Sequence, residues 1–167
     1  MRYTKKTCMN YTIFPKETTS YKSEFDSVKI IETLKENTLN GSLSSTTYQT
    51  QKKFIGSVEK DNFKIISSSY RTSMFCVFEG KLINQSNQIL LVKKFHPSFR
   101  NLFFIWFLAM LSILIFLPGK SNQIGTIIMF LSFVLLIRYL LITLLFRKSE
   151  EEGMEKLINT LKLTEIK

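Results

Sequence analysis

The chain of 167 residues contains one histidine, two cysteines and one tryptophan. A structural zinc site takes four Cys or His ligands, and a disulfide scaffold takes an even set of several cysteines. Cys8, Cys76 and His96 supply neither, so we expect no metal, no cofactor and no disulfide framework. The six glycines are scattered rather than gathered in a phosphate-binding loop. No acid and base stand at a catalytic spacing, so the sequence predicts that the protein is not an enzyme.

Charge is almost absent from residues 101–146, which hold only Lys120 and Arg138. Residues 1–100 carry 16 basic and 8 acidic side chains, and residues 147–167 carry five of each. The formal net charge is +10. Such segregation excludes a simple soluble domain and predicts an apolar membrane segment between two polar ones.

The apolar segment divides into two runs, at residues 102–117 and 124–146, around the turn residues Pro118 and Gly119. With interfacial residues included, they predict a two-helix transmembrane hairpin with spans at about 99–117 and 124–146. Basic residues flank the outer ends of the spans, at Lys93, Lys94, Arg100, Arg147 and Lys148. The positive-inside rule then predicts a multi-pass protein of a bacterial inner (plasma) membrane, with both termini cytoplasmic.

The predicted fold class is an α+β membrane protein with a small cytoplasmic domain at 1–97. Asn10 to Pro15 resemble a short strand, and Phe25, Val28, Ile31 and Leu34 follow at helical spacing. From residue 52 the apolar period becomes two. It predicts four short strands, the last at 88–95, in an antiparallel β-meander covered by the helix at 23–39.

The hairpin occupies 98–147 in this prediction, and a C-terminal cytoplasmic helix occupies 148–167. Met154, Leu157, Ile158 and Leu161 form one apolar stripe on that helix. Its net charge is zero and its first turn is acidic, so an anionic leaflet does not attract it. We therefore expect this amphipathic helix to pack on the sheet.

Arg138 is the one charge deep in the second run, about 13 Å before Arg147 by helical rise. An arginine at that depth is costly unless it pairs or extends to the headgroups. Two interpretations stay open: Arg138 snorkels to the interface, or it lies in an intramembrane interface with a neighbouring helix.

The function expected from these features is a non-enzymatic membrane-anchored binding or scaffold module. Tyr70, Arg71 and Ser73 form the candidate recognition patch. The alternative is an oligomeric transport or channel accessory subunit that assembles through the hairpin. The expected partners are the lipid bilayer, anionic lipid headgroups, and a second copy or another membrane protein. Nucleic acid is not expected, because the lysines are spread singly.

Residues 53–95 contain the segments KFIGSVEKDNFKI, SYRTSM and VFEGKL, followed by a strand that enters the apolar runs. This order resembles a group of small Bacteroidetes-type two-span membrane proteins with an F-x-G, F-K-I, YR-x-S and G-x-L pattern. Thr72 stands where that pattern has asparagine. The resemblance implies the two-span architecture and compartment, and it implies no activity.

Overall fold

The computed structural model describes residues 14–43, 50–68, 75–83, 87–116 and 123–166. The strands are β1 (Lys16–Ser23), β2 (Thr38–Asn40), β3 (Phe54–Val58), β4 (Asn62–Ser67), β5 (Cys76–Leu82), β6 (Gln88–Phe95) and β7 (Leu163–Glu165). The helices are α1 (Ser27–Asn37), α2 (Pro97–Phe116), α3 (Gln123–Leu140) and α4 (Arg147–Leu161). A π-helical segment, Leu141–Phe146, joins α3 to α4.

The strands form one seven-stranded sheet in the order β2-β3-β4-β5-β6-β1-β7. Strands β3 to β6 are consecutive along the chain, and each pairs antiparallel with the next. The first strand of the chain, β1, pairs with β6, and the last strand, β7, pairs with β1. The edge strand β2 runs parallel to β3. Both chain ends of the domain are thereby tied into the same side of the sheet.

One face of the sheet carries the main core. Side chains alternate along a strand, so Ile89, Leu91, Lys93 and Phe95 of β6 all lie on this face, and all are buried. Helix α1 covers part of it with Ile30, Ile31 and Leu34. The Asp26 side chain caps α1 by accepting a hydrogen bond from the Lys29 amide at 3.1 Å.

Helix α4 covers the rest of the core face at unusually close range. A Cβ atom on Gly153 would lie 2.3 Å from Cε2 of Phe78, so only glycine allows this approach. Leu157 and Leu161 are fully buried in the same core. The helix ends at Lys162, whose left-handed backbone turns the chain into β7. The Ser23 hydroxyl donates to the free carbonyl of Leu161 at 2.6 Å.

The opposite face of the sheet has a smaller cluster. Ile55, Ile66 and Val77 are buried there against Leu39 and Leu43. Towards β6 and β1 this face is more open, because Leu90 and Val92 are half-buried and Thr18 is exposed. The sheet is therefore packed with helices on one face only, within the described part of the chain.

Helix α3, the π-helical segment and α4 form one continuous helix. From Gly125 to Leu161 it spans 37 residues, and its most apolar stretch is not buried within the protein. Among the described residues it is the one helix that is long and apolar enough to cross a membrane. Its apolar portion, residues 125–146, is about 33 Å long, which matches a hydrocarbon core of about 30 Å.

The prediction of a two-helix transmembrane hairpin is wrong, because one candidate span replaces two. The first turns of α2 belong to the protein core: Phe99 packs against it and Phe103 is buried. Residues 104–116 remain, a length of about 20 Å, which is short for a hydrocarbon core. The predicted multi-pass arrangement in an inner membrane is wrong for the same reason.

The predicted fold class is also wrong about the sheet, which has seven strands, including a parallel pair, where a small antiparallel meander is expected. The expected first strand at 10–15 lies mostly outside the described residues, and β1 follows it at Lys16–Ser23. This strand lacks a clear alternation of apolar and polar residues, because Glu17, Thr19, Tyr21 and Ser23 take its inward positions. The domain boundaries at 97 and 147 stay a prediction.

Replacing Gly153 with alanine is expected to destabilise the protein by up to about 2 kcal/mol. Alanine gains roughly 1 kcal/mol in helix propensity, but the added methyl group overlaps the buried Phe78 ring, and overpacking costs about 1–3 kcal/mol. Gly125→Ala is the matched control, since nothing lies within 4 Å of a Cβ at that position. Chemical denaturation in detergent measures both. Equal stability of the two variants would contradict the close approach.

Candidate functional site at the junction of the sheet and the apolar helices

The apolar helices leave the sheet at one end, which we call the junction. Here β1 and β5 begin, β6 ends, α2 begins, and α4 follows the apolar segment. Aromatic rings fill this end of the core. The ring of Phe14 stacks on Phe95 with centroids 5.2 Å apart, and Phe75 lies 4.5 Å from Phe99. Phe146 reaches Phe95 at 5.9 Å. The cluster thus joins the first turn of α2 and the last residue of the π-helical segment to the sheet.

Lys93 is the most unusual side chain at the junction. It is 1% exposed although it carries an ammonium group, and it lies among buried hydrophobic residues on the core face. Its Nζ lies 3.0 Å from a carboxylate oxygen of Glu17 and 2.6 Å from one of Glu150. Glu17 is its direct cross-strand neighbour on β1, and Glu150 belongs to the first turn of α4. One buried cation therefore links β1, β6 and the helix.

This ion-pair group links β1, β6 and α4 and so contributes to the stability of the fold. A buried charge is tolerated when it is paired and hydrogen-bonded, and removing one partner is strongly destabilising. Next to it, the Cys76 amide donates to the Ser149 hydroxyl at 3.2 Å. Burial raises the pKa of the Cys76 thiol, with a further contribution from Glu150, so the thiol stays protonated and is a poor nucleophile.

His96 forms the N-cap of α2, immediately before Pro97 at the first helical position. Its Nδ1 accepts a hydrogen bond from the Ser98 amide at 3.2 Å, and its carbonyl accepts from the Arg100 amide at 3.1 Å. The ring is buried, and Nε2 meets no acceptor at hydrogen-bond geometry. Burial lowers the pKa of His96, the Leu43 backbone opposes this shift, and Lys64 adds to it. The neutral ring is therefore the form that caps the helix.

Exposed basic side chains surround the junction. Arg100 lies in the first turn of α2, Arg147 and Lys148 open α4, and Lys16 begins β1. Lys16 stands directly opposite Lys94 on the open face of the sheet. Like charges in that position repel one another. The basic groups thus collect where the apolar helices begin.

Lys94 also takes part in a ladder of charges across the open face. Glu79 lies 2.7 Å from its Nζ and 3.2 Å from that of Lys64. Burial alone would raise the pKa of Glu79, but the hydrogen bonds from Lys94 and Lys64 outweigh it and lower that pKa. A shallow groove of about 400 Å³ runs beside the ladder, along Leu90 and Val92. Two of the residues that line this groove, Lys64 and Glu79, already form an ion pair with each other.

The site residues predicted from sequence do not come together in the structure. Tyr70, Arg71 and Ser73 lie outside the described residues. Arg138 lies in the last turn of α3, half-buried, and interacts within the chain. Its role as a snorkelling or an interface residue stays a prediction.

Sequence reasoning missed Lys93 and His96. The signal for Lys93 is its place in the alternation of Ile89, Leu91 and Phe95, which puts a lysine on the buried face. The signal for His96 is the following proline, which favours the first position of a helix. Within the described part of the chain, no group of three or more His, Cys, Asp or Glu side chains could hold a metal ion.

Comparison of the chain with protein-family models, with curated proteins and with solved structures finds no match. The resemblance to two-span bacterial membrane proteins therefore stays a prediction.

Replacing Lys93 with methionine is expected to lower stability by about 2 kcal/mol or more, because it leaves two carboxylates facing each other without a cation. Lys94→Met is the matched control. That residue is the next on the same strand, its ion pair with Glu79 is part-exposed, and such pairs contribute about 1 kcal/mol or less. Denaturant unfolding compares the two. If Lys93→Met lowered the free energy of unfolding no more than Lys94→Met does, the stabilising role of the buried Lys93 ion pairs would be refuted.

The His96 cap predicts a loss of stability in mild acid. Above the ordinary pKa of 6.5, the ring is neutral in both the folded and the unfolded chain. As the pH falls below 6.5, the unfolded chain takes up a proton before the folded one does, so stability decreases until the lowered folded pKa is passed. His96→Asn keeps a capping oxygen and does not titrate. Since this is the single histidine, the variant should show a flatter stability profile between pH 7 and 5. An unchanged profile would contradict the assignment.

Proposed function

We propose that this chain is a non-enzymatic binding module held in a lipid bilayer through its uncovered apolar helix surface. The observation that carries the proposal is the continuous helix Gly125–Leu161. Its first part is apolar and uncovered by the protein, and its last part is amphipathic and docked on the sheet. A single rigid element therefore belongs to both the anchor and the folded domain.

The uncovered apolar surface requires a nonpolar environment. On the anchor helix the exposed large side chains are Ile127, Ile128, Met129, Leu131, Phe133, Leu135, Leu136, Leu140 and Leu144. Burying one such side chain fully is favourable by about 1.5–3 kcal/mol. Monomeric soluble proteins rarely leave a continuous patch of this extent in water. A bilayer covers all sides of such a helix, and the length of the apolar portion suits it.

Helix α2 adds to this surface. Leu102, Ile105 and Leu108 are each more than half exposed. Its Trp106 ring lies 5.9 Å from Phe133 of α3, so the two helices are in contact. The side of α2 that faces away from α3 would lie at the same lipid boundary.

A binding role fits the chemistry of the described residues better than catalysis does. The ionisable groups held closest together are Lys93, Glu17 and Glu150, and they satisfy one another. The Cys76 thiol is buried and protonated. The accessible groups at the junction include Arg100, Arg147 and Lys148, which suit an anionic partner.

The alternative, an accessory subunit of a transport assembly, has less support. One candidate span per chain encloses no pathway, so several copies would have to combine. Arg138 is the residue that such an assembly would use.

Alkaline carbonate extraction of membranes that contain the full chain tests the anchor. We expect the wild type to stay in the membrane pellet. The double variant Leu131→Asp/Leu135→Asp should be released, because each aspartate near the centre of a span costs about 3 kcal/mol.

Val28→Asp serves as the matched control, since Val28 is 66% exposed but lies on α1, away from the anchor. It should stay in the pellet like the wild type. Carbonate release of the wild type would overturn the proposal.

A further inference from the structure

We propose that the junction is a binding site for anionic phospholipid headgroups. The site consists of Arg100, Arg147 and Lys148, extended on the open sheet face by Lys16 and Lys94. We call these five residues the basic collar. This inference rests on the proposed anchoring and names the ligand that the anchored domain binds.

The position of the basic collar carries the first part of the argument. Arg100 is one turn into α2, and Arg147 directly follows the apolar segment. If residues 125–146 fill the hydrocarbon core, Arg147 and Lys148 emerge at the level of the headgroups. The collar therefore lies at the depth of lipid phosphates.

Charge carries the second part. Arg100, Arg147 and Lys148 are exposed, and within the described residues none of them forms an ion pair with a carboxylate. The nearby carboxylates of Glu17 and Glu150 are turned inwards to Lys93, and Glu79 is held by Lys94 and Lys64. Glu151 and Glu152 stay on the surface of α4, one turn after Arg147 and Lys148, but the five basic residues of the collar outnumber them. The collar therefore keeps a surplus of positive charge towards the bilayer.

Repulsion within the collar carries the third part. Lys16 and Lys94 stand directly opposite each other on neighbouring strands, an arrangement that costs stability in isolation. Glu79 pairs with Lys94 and with Lys64. Its charge therefore offsets that of Lys94 but does not offset that of Lys16. An anionic phosphate above this pair would relieve the repulsion.

The single tryptophan of the chain provides the measurement. Trp106 contacts Phe103 and Phe133 beside the anchor and is six residues from Arg100. The full chain is reconstituted in bilayers of equal phosphatidylglycerol and phosphatidylcholine, with brominated acyl chains on one lipid or the other. Quenching of Trp106 by each brominated lipid gives the relative affinity of the surrounding sites for the two headgroups.

We expect the wild type to favour phosphatidylglycerol by at least about fivefold, since one basic residue near an anionic surface already contributes that factor. The preference should shrink in high salt, because salt screens exposed charges. The triple variant Arg100→Gln/Arg147→Gln/Lys148→Gln should quench equally with both lipids.

The matched control is Lys22→Gln/Lys60→Gln/Lys81→Gln. It removes the same charge from exposed positions at the opposite end of the sheet, and it should keep the wild-type preference. Thermal unfolding of both triple variants checks that the fold is retained.

Each outcome discriminates. Equal quenching of the wild type by both lipids would overturn the headgroup site and leave the anchor intact. Equal loss of preference in the two triple variants would also overturn it, because net charge would then be the cause. Quenching by neither lipid would overturn the anchoring itself.

Discussion

The close contact between α4 and the sheet is the constraint on which the rest of the structure depends. Gly153 brings the helix backbone against the Phe78 ring, and no other residue permits that distance. Lys93 then joins the first turn of the helix to β1 and β6, while Ser23 holds its last carbonyl. Packing in the middle and polar bonds at both ends fix the helix in translation and in rotation.

Because α4 continues the apolar helix, this contact also sets the orientation of the domain relative to the bilayer in the proposed anchoring. The aromatic cluster at the junction makes a second attachment through Phe99 and Phe146. The burial of Lys93 has two consequences together: it satisfies the carboxylates of Glu17 and Glu150, and it reduces the number of acidic groups that face the arginines of the junction. The stability of the fold and the charge of its surface thus share one cause.

The sequence predicts the position of an element well where that element buries one face, because its apolar residues then recur with a regular period. The interval 88–95 predicted for the last strand agrees with β6. Of the apolar stripe predicted for the C-terminal helix, Leu157 and Leu161 are buried, whereas Ile158 is 39% exposed. The pattern failed where pairing is non-local. Nothing in residues 16–23 indicates a partner some 70 positions away, and a three-residue strand such as β7 has no period. It also failed for α2, because an apolar helix whose first turns cover a core has the same composition as one that crosses a bilayer. The recognition patch could not be located from Tyr70, Arg71 and Ser73 as letters alone.

The π-helical segment at Leu141–Phe146 sets the rotation of α3 about the helix axis relative to α4. A π turn holds about one residue more than an α-helical turn, and each residue of an α-helix turns the chain by about 100°. This one extra residue therefore determines which side of the apolar helix faces the sheet. A chain one residue shorter in this segment would keep the docking of α4 on the sheet and almost the same apolar length. Its apolar helix would be rotated about its own axis. In the proposed bilayer, a different side of that helix, and Arg138 with it, would then face the neighbouring molecules.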